Sequence, residues 1–337
     1  MSPTYDALML LSFGGPEGPD DVMPFLRNVT RGKDVPESRL LQVAEHYLQF
    51  GGVSPINEQN RLLIDELRAA LDQRGNPIPI LFANRNWHPL LEDTIRNAVD
   101  TGFGRILVLV TSAFSSYSGC RQYLEDLERA GSELGDANPI FDKIRPFYNS
   151  PGFISAMQDN LSKSIDSLGE ARPADVKVLF TAHSIPMDMA SNCEYETQLD
   201  EACNMVMEVF PEYSWQLVYQ SRSGSPARPW LEPDINDVIG TFDENCIVAC
   251  PIGFVSDHME VLFDLDHEAK DLCHQAGKHF ARVRSVVTHP LFVNGLVDLV
   301  EQRMGRLEAV PVLGTRGALP DECPLGCCLP KVKTVKE

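Results

Sequence analysis

Short apolar runs alternate along this chain with longer stretches in which apolar residues recur every three or four positions. The runs are Tyr5–Phe13, Pro79–Asn84, Arg105–Thr111, Ile140–Arg145, Val176–Thr181, Gln216–Tyr219, Ile247–Phe254 and His279–Val287. Most are apolar on both sides of the chain, the pattern of parallel strands covered on both faces. Between them, helical periodicity predicts helices over Asp20–Asn28, Leu40–Phe50, Asn60–Arg74, Leu90–Thr101, Leu124–Leu134, Gly152–Leu168, Glu194–Val209, Asp234–Thr241, His258 to Ala276, and Pro290–Glu308. Strand and helix alternate throughout, which predicts an α/β protein of two Rossmann-like domains. Each is a four-stranded parallel sheet flanked by helices, spanning residues 1–150 and 151–310. Ala171–Ala174 reads as a short polar connection, and residues 311–337 form a Gly- and Pro-containing tail without periodicity.

In open parallel sheets, ligands bind beyond the carboxyl ends of the strands. Two such exits here carry ionisable residues. Ile247–Phe254 leads through Ser256 and Asp257, both good N-cap residues, into a helix on which Glu260, Asp264 and Glu268 recur every four positions. On an α-helix that spacing leaves the three carboxylates close to one stripe, drifting about 40° per step. A solvated acidic face is the bland reading of such a row. Against it stand the strand-end position, the interruption by His258 and His267, and the apolar Met259, Val261, Leu262, Phe263 and Leu265. The other reading is a path for a hard or borderline cation passed between carboxylates. Val176–Thr181 similarly delivers His183-Ser184-Ile185-Pro186 at its carboxyl end. A lone His is more often structural, but a His from one strand and a Glu from another make an acid/base or metal pair.

Length and composition set the bounds: 337 residues, 43% hydrophobic, net charge −19. The charge argues against nucleic acid and anionic membrane surfaces as partners. No apolar run approaches the ~20 residues that span a bilayer, and Met1–Leu10 lacks a basic n-region, so a cytoplasmic protein is expected. The loop Phe13-Gly14-Gly15-Pro16 invites a nucleotide reading but lacks the GxGxxG spacing, which disfavours a nucleotide-dependent transferase or dehydrogenase. Nine cysteines without a secretory signal point to metal or redox chemistry, and Cys323, Cys327 and Cys328 fall within six residues of the tail.

Five stretches together resemble one family. They are Leu11–Pro16, Gly51–Asn57, Thr181–Pro186, Gln220-Ser221-Arg222 with Pro229–Pro233, and Pro251–Leu262. In that order, from about Asp6 to Leu307, the chain resembles the ferrochelatases, in particular the actinobacterial-type coproporphyrin III ferrochelatases.

The resemblance implies a chelatase-like fold and a lyase that inserts Fe²⁺, its substrate, into coproporphyrin III to give coprohaem in haem b biosynthesis. His183 and Glu260 would accept pyrrole protons and hold iron, with Asp264 and Glu268 feeding metal or carrying protons. Phe13, Tyr47, Ser54 and Tyr123 fall at family porphyrin contacts. Phe13 stands where many relatives carry Tyr, so it stacks but cannot ligate iron, and His46 stands where relatives often have Arg. Arg31, with Arg27 and Lys33, is a basic cluster near the porphyrin loop that would meet propionates or else cap a helix. Ser115, Ser116 and Ser118 are further propionate candidates. Members of the family carry a [2Fe–2S] cluster on three C-terminal cysteines and one internal one. Cys323, Cys327 and Cys328 match the former. Cys120 is the choice for the latter, because it lies on a strand-exit loop, with Cys193 and Cys250 as alternatives. Further implications are a monomer and a downstream coprohaem decarboxylase as partner. Protoporphyrin IX as substrate, or a non-catalytic haem or iron–sulfur carrier, are the competing functions.

Overall fold

The computed structural model describes residues 3–224 and 228–330. Its strands are β1 (Ala7–Ser12), β2 (Ile80–Asn84), β3 (Arg105–Val110), β4 (Ile140–Lys143), β5 (Val176–His183), β6 (Ser214–Gln220), β7 (Cys246–Cys250) and β8 (His279–Arg282). They form two parallel four-stranded sheets, ordered β2-β1-β3-β4 and β6-β5-β7-β8. The two orders are the same topology, as the repeated strand–helix pattern in the sequence suggests. β1 and β7 are buried at every position. Helices cover both faces of a parallel sheet, so such strands carry no polar side.

Two helices join the sheets. Pro151–Asp166, capped by the Ser150 hydroxyl oxygen, which accepts from the Phe153 amide, packs against Pro290–Arg303, which also reaches back to the first-half helix Ile56–Gln73. The first pair approaches closely at Gly152 and Gly295. A Cβ on Gly152 would sit 2.5 Å from the Leu291 carbonyl oxygen and 2.9 Å from the Gly295 Cα, so no larger residue fits without moving a helix. One continuous core therefore contains Leu8 and Leu10 of β1, Phe153 and Phe292 of the joining helices, and Val178 and Phe180 of β5. A separate small core, from Val22, Phe25, Leu26, Leu40 and Ala44, holds together the helix pair Pro19–Val29 and Glu37–Gln49.

Several elements differ from the sequence expectation. β7 stops at Cys250, because Pro251 has no N–H to continue the ladder. β8 stops at Arg282. Asp234–Thr241 is a single α-turn, Ile235–Val238, followed by a 3₁₀ turn, Ile239–Thr241. Ser256 and Asp257 do not cap the acidic helix. Its N-cap is His258, without a side-chain bond, while the Asp257 carboxylate pairs with Arg282 at 3.0 and 3.3 Å. The helix itself begins as α over Met259–Val261, becomes a π-helix over Leu262–Ala269, and returns to α over Lys270–Gln275. Among the described residues no helix is long and apolar enough to cross a membrane.

Candidate active site

In each sheet the second strand lies on one side of the first and the third on the other, so the connections diverge at β1/β3 and at β5/β7 and leave a crevice at each carboxyl edge. The crevices share one cleft of about 350 Å³. From the first half it is lined by Phe13, Lys33, Tyr47, Ser54, Arg85, Ser116, Ser118 and Tyr123, and from the second by His183, Tyr195, His258 and Glu260.

His183 closes β5, and Glu260 stands in the first turn after His258. Together they form the chemical centre, with His183 Nδ1 3.4 Å from Glu260 Oε2 and the side chains 30% and 46% exposed. The Tyr195 hydroxyl donates to the His183 carbonyl at 3.2 Å, fixing the strand end. Burial alone would pull the His183 pKa down. The carboxylates of Glu260 and Asp264 outweigh it, and the net shift is upward. Burial would raise the Glu260 pKa, but His183 and then His258 hold it well below the usual carboxylate range. His258 goes the other way, lowered by burial despite the charges of Glu260 and Asp257. The centre thus combines an ionised carboxylate, an imidazole with raised proton affinity and one with reduced proton affinity.

Asp264 and Glu268 do not line the cleft; they continue behind Glu260. A four-residue step overshoots an α-turn and falls short of a π-turn, whose bonds run i→i+5. The switch from α to π between Glu260 and Glu268 therefore offsets the drift expected of a pure α-helix. The Ser221 hydroxyl donates to Asp264 Oδ2, and the Gln220 amide reaches the same oxygen at 3.3 Å. Ser221 has φ of 62°, a left-handed conformation a serine rarely adopts. Burial, followed by the charges of Glu260 and Glu268, pushes the Asp264 carboxyl up to about 7 against the Ser221 bond. Glu268 meets the Asn236 amide at 3.4 Å. His46, from the first half, stacks on Phe263 of the π-helix with centroids 3.8 Å apart and planes at 6°, so the end of the row touches both halves. No group of three or more described His, Cys, Asp and Glu side chains is arranged to hold a single metal ion.

On the first-half wall, Phe13 is 39% exposed toward the cleft, with Phe25 edge-on behind it at 6.3 Å. Ser54 is buried, its amide bonded to the Pro16 carbonyl. Tyr123 is also buried, its ring 4.5 Å below the Arg85 guanidinium, which is itself tied to Asp126. Arg31 is exposed and lies outside the lining; Lys33, two residues on and also exposed, lies at the edge of the cleft. Ser115 does not offer its hydroxyl to the cleft. It accepts from the buried Gln198 amide at 3.0 Å, a bond between the halves.

The tail returns across both halves. Asn149 bonds to Leu313 and Gly317, Glu201 to Thr315, and Asp321 pairs with Arg303 at 3.1 Å and Arg145 at 3.8 Å. Arg121, in the π-turn Tyr117–Arg121 after β3, donates to the Leu325 carbonyl at 2.8 Å. This brings Cys323 near Cys120, whose thiol it pushes up together with burial, and Cys327 Sγ lies 3.5 Å from Cys328 Sγ. Cys250 is buried in β7, within the core.

Two parallel sheets with a His–carboxylate pair between their facing edges are the arrangement of a chelatase. A sequence model described as Ferrochelatase matches residues 5–304. A ferrochelatase of Rhodopirellula baltica is 54% identical over 97% of this chain and 94% of its own. A coproporphyrin III ferrochelatase of Streptomyces coelicolor is 46% identical over 96% and 93%. SirB from Bacillus subtilis, solved with Fe³⁺, shares the fold with a TM-score of 0.56 at 11% identity, covering 89% of this chain and 96% of SirB. The chain belongs to the ferrochelatase family and is a metal-chelatase enzyme.

Tyr195 and Arg85 were missed in the sequence, and His258 was noted on the acidic helix without a role at the site. Arg85 directly follows β2, so the strand-exit rule that picked out His183 also covers it. Tyr195 bonds to a backbone carbonyl twelve residues away, a contact with no sequence signature.

Proposed function

We propose that this protein inserts Fe²⁺ into coproporphyrin III, releasing two protons, with His183 and Glu260 as the reacting pair. The observation that carries this reading is the 3.4 Å His183–Glu260 pair at the facing carboxyl edges, opposite a wall of Phe13, Tyr47 and hydroxyls. A flat porphyrin stacks on the aromatic wall and turns its ring nitrogens toward the pair. Each pyrrole N–H that is lost transfers its proton to a base while the nitrogen lone pair takes up iron. Glu260, held ionised, and the imidazoles are the acceptors at hand, and both ligand types bind Fe²⁺ without trapping it as thiolates would. Asp264, titrating near neutrality, then passes the protons outward along the row. Lys33 and Arg85 are the cations lining the cleft, and Arg85 is already paired, so Lys33 meets a propionate. The product keeps its propionates, so a decarboxylase consumes it.

Coproporphyrin III is preferred over protoporphyrin IX on the strength of the actinobacterial-type relatives. The test is an anaerobic insertion assay with both porphyrins. Higher kcat/KM with coproporphyrin III is expected; equal or better turnover of protoporphyrin IX would reverse the assignment.

A second reading concerns the tail. Cys120, Cys323, Cys327 and Cys328 would hold a [2Fe–2S] cluster, a reading supported by the returning tail, which brings Cys323 near Cys120 and sets Cys327 Sγ 3.5 Å from Cys328 Sγ. Such a group supplies one-electron chemistry when bound. This chain's own contribution is to bring the thiols together through the bonds of Arg121, Asn149 and Arg303 to the returning tail.

A further inference from the structure

Two helices hold the same place in the two halves: Ile56–Gln73 is the last helix before β2, and Tyr195–Met207 is the last before β6. The first turn of each grips the exit of the first strand in its own half. Asn57 donates to the Gly15 carbonyl beyond β1 at 3.1 Å, and the Tyr195 hydroxyl donates to the His183 carbonyl that ends β5 at 3.2 Å. The fourth residue of each helix is a glutamine, Gln59 or Gln198, and it reaches across to the other half. Gln59 Oε1 accepts from the Asp257 amide beyond β7 at 2.7 Å. Gln198 Oε1 accepts from the Ser115 amide beyond β3 at 2.8 Å, and its Nε2 donates to the Ser115 hydroxyl at 3.0 Å. β3 and β7 are equivalent too, each lying beside the first strand of its sheet, on the side away from the second. Both accepted amides lie in loops outside any strand ladder, so the glutamine oxygen is the partner that a sheltered N–H requires. Neither glutamine lines the cleft.

We infer that Gln59 and Gln198 are a reciprocal pair of positioning residues, which fix the spacing between the strand exits that form the cleft wall and those that carry His183 and Glu260. The inference rests on the reading of His183 and Glu260 as the reacting pair. Ser115 directly precedes Ser116 and Ser118 of the wall, and Asp257 directly precedes the turn of His258 and Glu260. Asp257 is held from its own half as well, by Arg282 on its carboxylate, so that turn is fixed from both sides. A ring seated on the wall therefore meets the pair at a distance set by the two helix starts. Displacement of ~1 Å at a reacting centre can cost on the order of 10²-fold in rate.

The test is an anaerobic assay with Fe²⁺ and coproporphyrin III on full-length wild type, Gln59→Met, Gln198→Met, Gln59→Glu, Gln198→Glu and His183→Ala. Methionine keeps the length without the amide oxygen, and glutamate keeps an oxygen that accepts the N–H. Each methionine variant is expected to lower kcat by about tenfold, with the porphyrin dissociation constant from the Soret shift within about threefold of wild type, because the wall keeps its own contacts. Each glutamate variant should recover most of the lost kcat. Residue-resolved hydrogen exchange on the wild type needs no variant to fold: the Ser115 and Asp257 amides should be protected, and exchange of either at the rate of a free loop overturns the inference. Folded methionine variants with wild-type kcat also overturn it, as does a loss of kcat at only one of the two glutamines. Equal losses in the methionine and glutamate variants do the same, since side-chain fit rather than the accepted amide would then matter. Insertion retained in His183→Ala overturns the reading of the reacting pair and the inference with it, whereas insertion lost there confines any failure to the glutamines.

Discussion

In both sheets the connections diverge around the first strand, so β1/β3 and β5/β7 open equivalent crevices, yet the crevices present different chemistry. The first offers a ring, Phe13, and hydroxyls, Ser116 and Ser118. The second offers His183, His258 and Glu260. In the proposed reaction the first half would be the surface for a flat ring, and the second would be where protons and metal change hands. One scaffold used twice lets the two tasks be tuned separately, because a strand exit can change residue without disturbing the core behind it.

The sharpest way to break this division is to remove the reacting pair. His183→Ala and Glu260→Gln should each lower kcat for insertion by at least ~10²-fold, with porphyrin binding, followed by the Soret shift, within a few-fold of wild type. Substitution on the opposite wall should do the reverse: Phe13→Ala should weaken porphyrin binding by about fivefold, near 1 kcal/mol of lost stacking, and leave kcat nearly unchanged. Phe13→Ala that destroys kcat, or His183→Ala that retains it, would erase the distinction.

Much of this was legible before any coordinates. Both sheets, the site at their carboxyl edges and the His183–Glu260 pair follow from apolar runs that end in ionisable residues. What was not legible depended on contacts between distant segments. The α-to-π switch after Val261 leaves no mark in the apolar period, because the same residues fit either helix for a turn or two. Asp257 looked like a cap, but Arg282, brought up by β8, competes successfully for its carboxylate. Arg31 and Lys33 are equivalent in sequence, and only the fold shows that Lys33 and not Arg31 borders the cleft.

Lys33 sharpens the comparison further, since it adds a charge to a wall whose other cation, Arg85, is already paired with Asp126. Lys33→Met should raise KM for coproporphyrin III two- to fivefold, about 0.5–1 kcal/mol for a partly exposed pair, and raise it less for protoporphyrin IX, which has fewer carboxylates. Added salt should reproduce part of the wild-type loss and have little effect on the variant.

The last test concerns Asp264, which separates a working carboxylate from a solvated one. Its carboxyl titrates near 7 in the folded protein, raised by burial and by Glu260 and Glu268, against about 3.9 in an unfolded chain. Below pH 4 both states hold the proton and the residue is neutral toward stability. Between pH 4 and 7 the folded state keeps a proton that the unfolded state has released, so stability falls as pH rises, and above 7 the full cost is present. Asp264→Asn removes this titration. The variant should therefore gain on wild type between pH 4 and pH 8, by on the order of 1 kcal/mol once partial exposure is discounted. Urea unfolding at the two pH values measures it. If Asp264 also relays protons or iron, the same variant, and more so Asp264→Asn with Glu268→Gln, should insert iron more slowly at low Fe²⁺. The substitutions keep side-chain volume, so a cavity cannot account for the loss. Greater stability at pH 8 with unchanged Fe²⁺ dependence would reduce the row to a strained acidic face and confine the chemistry to His183 and Glu260.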